Sequence, residues 1–288
     1  MTKLRCKFEK NNKIIGGHIS IAESIAKSPE RANNFQFNTF QIFVKSNMQW
    51  NYRKIGEDEK IKFKENVKKY NIKNTVAHAT YLINLGTDNK LLLDKSIEDL
   101  KYEREACNEL GINYLVLHPG SSNSRKNSMK KIMEIINNFN TENVKLLIEN
   151  SSGKGNTLPS TIEEMEYMID LSDNKTGICL DTCHFFAYGY DIKNDYDNVI
   201  SNLKSNNLIK RIEVIHLNDS MFDLNSKKDR HENIGKGFIG LKGFYNIIND
   251  NNFNNTPLIM ETPEADKNYS ENLNKIVDLM VNRSATNL

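Results

Sequence analysis

Cysteine is scarce in this 288-residue sequence, and the four present, Cys6, Cys107, Cys179 and Cys183, include no C-x-x-C pair. A disulfide scaffold or an all-cysteine zinc knuckle is thereby excluded, and reduced thiols in an intracellular setting are expected. Proline (5) and glycine (14) are too few for a collagenous, linker-like or wholly disordered chain. An excess of one charge is also missing. With 39 Lys+Arg against 37 Asp+Glu the formal charge is +2, so a nucleic-acid partner would have to be held by a local basic surface and not by the field of the whole protein. No apolar run approaches the ~18 to 20 residues that a membrane-spanning helix needs. The start, MTKLRCKFEKNNK, lacks the apolar stretch and small-residue cleavage site of a secretory signal. What is there is a 38% hydrophobic chain of a length for one large domain or two ordinary ones.

Short apolar runs alternate with longer stretches of helical periodicity, the pattern of a parallel sheet with crossover helices. Eight strands are expected, over Lys13 to Ser20, Thr39 to Lys45, Thr75 to His78, Tyr114 to His118, Lys145 to Glu149, Thr176 to Asp181, Ile212 to His216 and Pro257 to Glu261. Helices are expected over Asp58 to Tyr70, Lys90 to Leu110, Ser128 to Phe139, Thr161 to Leu171, Leu241 to Asn249 and Tyr269 to Val281. Eight such units predict a single α/β domain, a (β/α)8 TIM barrel over residues 13 to 288. A doubly wound open sheet is the rival, but it would want a glycine-rich turn after the first strand, and Gly16-Gly17 falls inside that strand. The leader, residues 1 to 12, is basic and would be either a disordered arm or a cap over the barrel bottom. The run NDNNFNN from Asn249 reads as a surface loop.

Histidines and acids concentrate at the ends of the expected strands: His18, His78, His118 and His216 among the imidazoles, Glu149, Asp181 and Glu261 among the carboxylates. In a barrel those ends converge on the face that carries active sites. A lone histidine after a strand is commonly a hydrogen-bonded loop residue, but three carboxylates in one pocket would repel one another without a cation. A metal cluster resolves that conflict, and imidazole with carboxylate suits zinc, with manganese or iron as substitutes. Two local pairs extend the set, Asp181 with His184 in DTCH and Asp229 with His231 in DRH. Cys183 reads as a buried structural thiol, and His18 as either a supporting or substrate-contacting group or a plain structural one.

In their order along the chain, GGHIS (from Gly16), HATYLINLG (His78), LHPGS (Leu117), LLIEN (Leu146), GICLDTCHFFAYGYD (Gly177), HLNDS (His216), DRHENIGKGFIG (Asp229) and PLIMET (Pro257) resemble the endonuclease IV family of apurinic/apyrimidinic endonucleases. The resemblance implies three zinc ions. His78, His118 and Glu149 would hold the first. Glu149 would bridge to a second, shared with Asp181, His216 and Glu261, and His184, Asp229 and His231 would hold the third. Three divalent ions against four carboxylates and one hydroxide leave about +1, a charge suited to a phosphodiester. The implied reaction is hydrolysis of double-stranded DNA on the 5′ side of an abasic site, giving a 3′-hydroxyl and a 5′-deoxyribose phosphate, with removal of 3′ blocking groups alongside. Glu149 as bridging carboxylate and Glu261 as orienter of the attacking water are the implied catalytic residues; no side-chain nucleophile is required. One active site per barrel makes a monomer sufficient.

The resemblance also implies DNA contacts. Tyr81 matches a side chain that enters DNA through the minor groove, and VKSNMQW from Val44 matches a second insertion loop, where Gln49 is as expected and Met48 replaces the usual arginine. Met48 can fill a vacated base stack but cannot contact a phosphate. Lys45, Lys227, Lys228, Arg230 and Lys236 are candidate phosphate contacts, and the glycines of IGKGFIG could present backbone amides to a phosphate. The rival readings are a metal-dependent sugar isomerase or epimerase on the related barrel, and a catalytically inactive DNA-damage binder. The paired third-metal residues disfavour the former, and the complete set of nine ligand-type residues disfavours the latter.

Overall fold

The computed structural model describes residues 3–139, 143–172 and 175–281. Eight parallel strands form the sheet: β1 (Ile14–Gly17), β2 (Gln41–Ile42), β3 (Val76–His78), β4 (Tyr114–Leu117), β5 (Lys145–Glu149), β6 (Thr176–Asp181), β7 (Ile212–His216) and β8 (Pro257–Met260). From β2 to β8 each pairs with its neighbour in sequence, and β8 pairs with β1 from Ile14 opposite Pro257 to Gly17 opposite Met260. A bridge between His18 and Gln41 joins β1 to β2 and closes the ring. A Cβ on Gly16 would lie 2.2 Å from the Thr39 carbonyl oxygen, so glycine is what lets these two strands approach. The fold is the expected TIM barrel and not the open sheet.

The first two strands are shorter than the sequence suggests, because their polar ends turn into loops. The helices are α1 (Lys3–Lys10), α2 (Ser28–Asn34), α3 (Glu57–Lys69), α4 (Lys90–Leu110), α5 (Arg125–Asn137), α6 (Ile162–Asp170), α7 (Thr182–Tyr188), α8 (Tyr196–Ser205), α9 (Gly240–Asn249) and α10 (Ala265–Val281). Helix α4 runs from an Asn89 side-chain cap to Gly111 in the left-handed conformation, the start and stop chemistry that made its limits legible. The leader is not a disordered arm over the described residues. Within α1, Phe8 is fully buried, and Arg5 donates to the carbonyls of Phe37 and Tyr70, both just ahead of strands. This helix therefore covers the N-terminal end of the barrel. In the asparagine-rich run, Phe253 is buried while Asn251 and Asn252 are exposed, so the loop is pinned by one apolar anchor.

Two apolar layers result. One large cluster fills the space between strands and helices, while a compact one of Val76, Val116, Leu147, Cys179, Val214 and Ile259 fills the barrel itself. Side chains alternate across a strand, so the residue two positions further on points the same way. Those residues are His78, His118, Glu149, Asp181, His216 and Glu261. The inner core and the polar cluster are thus successive layers of one barrel interior. None of the described helices is long and apolar enough to cross a membrane.

Candidate metal centre

Five groups of residues bring ligand atoms within 4.8 Å of one another, and three of them hold only histidines and carboxylates: His78, His118 and Glu149; Glu149, Asp181, His216 and Glu261; and His184, Asp229 and His231. The other two add a buried cysteine to members of these, Cys179 beside Glu149 and His216, and Cys183 beside Asp181 and His231. The three groups without cysteine bring together the nine residues singled out in the sequence. Glu149 faces two ways. Its Oε2 lies 3.1 Å from His78 Nε2 and 3.3 Å from His118 Nε2, while its Oε1 lies 3.1 Å from His216 Nδ1. His216 Nδ1 is also 3.3 Å from Glu261 Oε2. In the third group, His184 Nε2 is 3.2 Å and His231 Nε2 3.9 Å from Asp229 Oδ1, and His231 Nε2 also lies 3.5 Å from Asp181 Oδ2 of the second.

Local structure aims these side chains. In DTCH, Asp181 ends β6 and becomes the cap of α7, its Oδ1 accepting from the His184 amide at 2.7 Å. The three-residue spacing is that of a helix cap and its N3 residue, so His184 stands on a first helical turn. The other Asp181 oxygen, Oδ2, accepts from Asn218 Nδ2 at 2.7 Å. In DRH, His231 begins a two-residue strand paired with Asp219–Ser220, and Asp229 precedes it.

The imidazole tautomers follow from their other bonds. The Nδ1–H groups of His78, His184 and His231 donate to the carbonyls of Ala79, Asn150 and Glu261. His216 instead donates through Nε2 to Gln41 Oε1 at 2.8 Å. In each ring the nitrogen left with a lone pair is the one that faces a carboxylate. Such a contact is closed either by a proton on the ring or by a metal ion in its place, and the buried His231 Nε2 has no hydrogen-bond partner. The nitrogen and carboxylate donors fit zinc, and burial pushes the neighbouring Cys179 and Cys183 thiols up to about 12, against thiolate formation. Carbonyl support of the metal-facing rings is the arrangement such sites use.

The charges agree. Burial pushes the Glu149 carboxyl upward, but His118, His216 and His184 outweigh it and hold the group well below the ordinary carboxylate range. Burial likewise opposes ionisation of Glu261, yet His216 and His18 draw it down. Burial alone would lower His184; Asp181, Asp229 and Glu149 raise it instead. Burial lowers His118 to about 4, leaving a neutral ring with an available lone pair. Protons and a divalent ion compete for the same imidazole nitrogens in such a cluster, so metal binding would release protons.

Several supporting groups escaped the sequence reading. Gln41, fully buried, donates through Nε2 to Glu261 Oε1 at 2.6 Å and to His18 Nδ1 at 3.1 Å while accepting from His216. Asn150 accepts from the Asp181 amide, and Asn218 accepts from the Glu261 amide. The positions of Asn150 in LLIEN and Asn218 in HLND, each next to or two residues past an expected ligand, were the available signal. His18 contacts Gln41 and lies 3.7 Å from Glu261 Oε1, a supporting place. Cys183 is buried, donates to the Arg230 carbonyl at 3.5 Å, and burial pushes its thiol up to about 12.

The exposed groups around the mouth divide. Tyr81 and Met48 are 55% and 68% exposed, with the Tyr81 ring edge-on to Phe43 and His78 at 5.5 Å from each. Gln49 is exposed beside Met48. A cleft of about 740 Å³ lined by His18, Phe43, Asn47 and Lys267 lies on one side, and one of about 470 Å³ lined by Tyr81, His118, Lys154 and Asp229 on the other. Lys154 is a basic group the sequence did not single out. Arg230 is exposed, and Lys236 pairs with Glu271 at the surface. Lys228 lies over the Phe222 ring, 4.2 Å from its centroid, and Lys227 folds back over the Tyr188 ring at 3.3 Å.

Two expectations are corrected. Lys45 is not on the surface: its Nζ makes a 2.6 Å ion pair with the equally buried Asp99 and donates to the carbonyls of Gln49 and Trp50. All three ammonium donors are used, so none is left for a phosphate. The IGKGFIG amides are not open either. Those of Gly235 and Gly237 bond Asp219 Oδ2, and those of Ile239 and Gly240 bond Oδ1. That loop is an anchored turn around a buried carboxylate.

The family model described as xylose isomerase-like TIM barrel matches residues 29–279. The probable endonuclease 4 of Thermoplasma volcanium is 43% identical over 262 residues, covering 91% of this chain and 93% of that one. The crystal structure of endonuclease IV from Thermus thermophilus superposes with a TM-score of 0.85 at 31% identity, over 93% of this chain and 98% of that one. A D-tagatose 3-epimerase-like protein shares the fold at 18% identity and a TM-score of 0.65, over 93% of this chain and 98% of its own. With its barrel, its layered polar cluster and relatives at this level of identity along nearly their whole length, the chain belongs to the endonuclease IV family of xylose isomerase-like TIM barrels.

Proposed function

We propose that this protein is a zinc-dependent DNA repair endonuclease that hydrolyses the phosphodiester 5′ to an abasic site, leaving a 3′-hydroxyl and a 5′-deoxyribose phosphate, and that also clears 3′ blocking groups. The observation that carries the reading is the set of nine side chains whose imidazole nitrogens and carboxylate oxygens converge in three groups, each with its ligand atoms within 4.8 Å of one another. His78, His118 and Glu149 would hold one ion, Glu149, Asp181, His216 and Glu261 a second, and His184, Asp229 and His231 a third. Bound there, zinc would lower the pKa of water and neutralise charge on the phosphate and the departing oxygen.

The chain's own groups supply the rest. Glu149, with its two oxygens turned to different imidazoles, ties the first two groups to one spacing. Glu261 has Oε1 engaged by Gln41 at 2.6 Å, while Oε2 has only a longer 3.4 Å bond from Asn218 and faces His216 at 3.3 Å, so Oε2 is the oxygen that would turn toward a metal-bound water. Tyr81 and Met48, exposed beside the cluster, are suited to enter a duplex where a base is missing, since extruding an unstacked sugar is cheap. Gln49 accompanies them, and Arg230, Lys236 and Lys154 are the cations available to the phosphate backbone. The sugar isomerase or epimerase reading is disfavoured by the third group, which such chemistry does not call on.

The test is a duplex oligonucleotide with one tetrahydrofuran site, a lesion that cannot undergo β-elimination. A single cut 5′ to the lesion, with a 3′ end that a polymerase extends, is expected. A cut on the 3′ side, or no cut by protein with a full metal complement, would overturn the proposal.

A further inference from the structure

Beneath the two loops that carry Met48 and Tyr81 lies a buried charged network that the metal chemistry does not use. Helix α4 turns Asp99 and Glu103, one turn apart and 3% and 1% exposed, toward the underside of both loops. Both Glu103 oxygens accept from the Thr80 amide, at 3.1 and 3.2 Å. Asp99 Oδ1 binds Lys45 Nζ at 2.6 Å, and that ammonium donates to the carbonyls of Gln49 at 2.7 Å and Trp50 at 3.2 Å. Thr80 Oγ1 then donates to the Asn47 carbonyl at 2.6 Å, joining the loops directly. The carbonyls on either side of Met48 are therefore both gripped from below while the Met48 side chain stands out, and the amide just before Tyr81 is gripped from the same helix.

Stability does not account for the arrangement. Desolvating the Lys45–Asp99 pair costs several kcal/mol for each ion, and buried pairs seldom outperform apolar residues of the same size. Asp99 Oδ2 is buried without a hydrogen-bond partner, a further cost. What the network does secure is one backbone course for two loops that would otherwise be free at the mouth of the site.

We propose that Lys45, Asp99, Thr80 and Glu103 are positioning residues that hold Met48 and Tyr81 in place for insertion into lesion-bearing DNA, so that binding does not have to order the loops. This inference rests on the repair reading above. An ordering cost moved from binding to folding should appear in the affinity for substrate, not in the chemical step.

The experiment measures incision of the tetrahydrofuran duplex by Lys45→Met and by Lys45→Met/Asp99→Leu, the second removing both charges together in case the first leaves Asp99 stranded. Metal content is determined for each. The expected result is a KM raised about ten-fold, with kcat within about two-fold of the parent and an unchanged metal content. In a Met48→Ala/Tyr81→Ala background the same changes should add less than about two-fold, because they act through those side chains. An unchanged KM, a loss confined to kcat, or full additivity in that background would overturn the positioning role while leaving the endonuclease reading intact. Failure of the parent protein to cut the duplex would overturn both.

Discussion

Replacing Glu103 by Gln tests the electrostatics under the loops by a route independent of DNA. Burial, with Asp99 nearby, pushes the Glu103 carboxyl from 4.5 up to about 8, against the opposing pull of the Thr80 amide and Lys45. Because the folded value is raised, the folded chain holds a proton that the unfolded chain has released, and stability falls as pH rises from 4.5 to 8. At about 1.4 kcal/mol for each pH unit, the ionised side chain costs the fold at most about 5 kcal/mol above pH 8. Between pH 5.5 and pH 8 the share lost is about 3 kcal/mol. Glutamine has no such titration and can still accept from the Thr80 amide. Any fixed cost of housing its NH2 group is the same at both pH values and drops out of the comparison. Urea unfolding of the parent and of Glu103→Gln at the two pH values should show the parent losing about 3 kcal/mol more than the variant on going to pH 8. A difference below about 0.5 kcal/mol would mean that Glu103 titrates normally.

Three further outcomes follow from the site. Gln41→Leu removes the acceptor of His216 Nε2–H and a donor to Glu261, and metal held against a chromophoric chelator should be about ten-fold weaker; an unchanged affinity would deny Gln41 any hold on these ligands. Asp219→Asn sets an NH2 donor against amide donors now bonded to the carboxylate, so unfolding free energy should drop by about 2 to 4 kcal/mol, and a loss under about 0.5 kcal/mol would refute the anchoring role. Glu261→Gln should cut turnover at least about 100-fold while lesion-duplex affinity stays within about three-fold, and parallel losses in both would argue against a role in the chemical step.

Much of this was legible because barrel periodicity and site chemistry coincide. Each ligand on β3 to β8 follows an inner-core apolar residue by two positions, so hydrophobic runs ending on His, Asp or Glu marked both strand and site. Helices α3, α4 and α6 carried capping or amphipathic signals. Helix α7 did not, because TCHFFAY is buried almost throughout and shows no polar face, and α2 is short and polar; α8 buries Val199, Ile200 and Leu203, an apolar face that the sequence reading passed over. Lys45 was misread because a lysine beside surface loops is usually solvated, and its partner Asp99 lies far along the chain on a helix. The IGKGFIG loop was misread for a similar reason: its amides answer to Asp219, whose carboxylate is no different in sequence from a surface acid. Gln41 went unnoticed because a glutamine inside a short apolar strand announces nothing until β2 and β7 are seen to face each other across the barrel.

The claim that nine side chains form three ion sites is tested most directly by elemental analysis of the purified protein, with anomalous diffraction at the zinc edge from its crystals. The account predicts about three zinc per chain, one peak at each of the three ligand groups. One or two ions, with the His184, Asp229 and His231 group empty in metal-replete protein, would contradict it and favour sugar-isomerase chemistry.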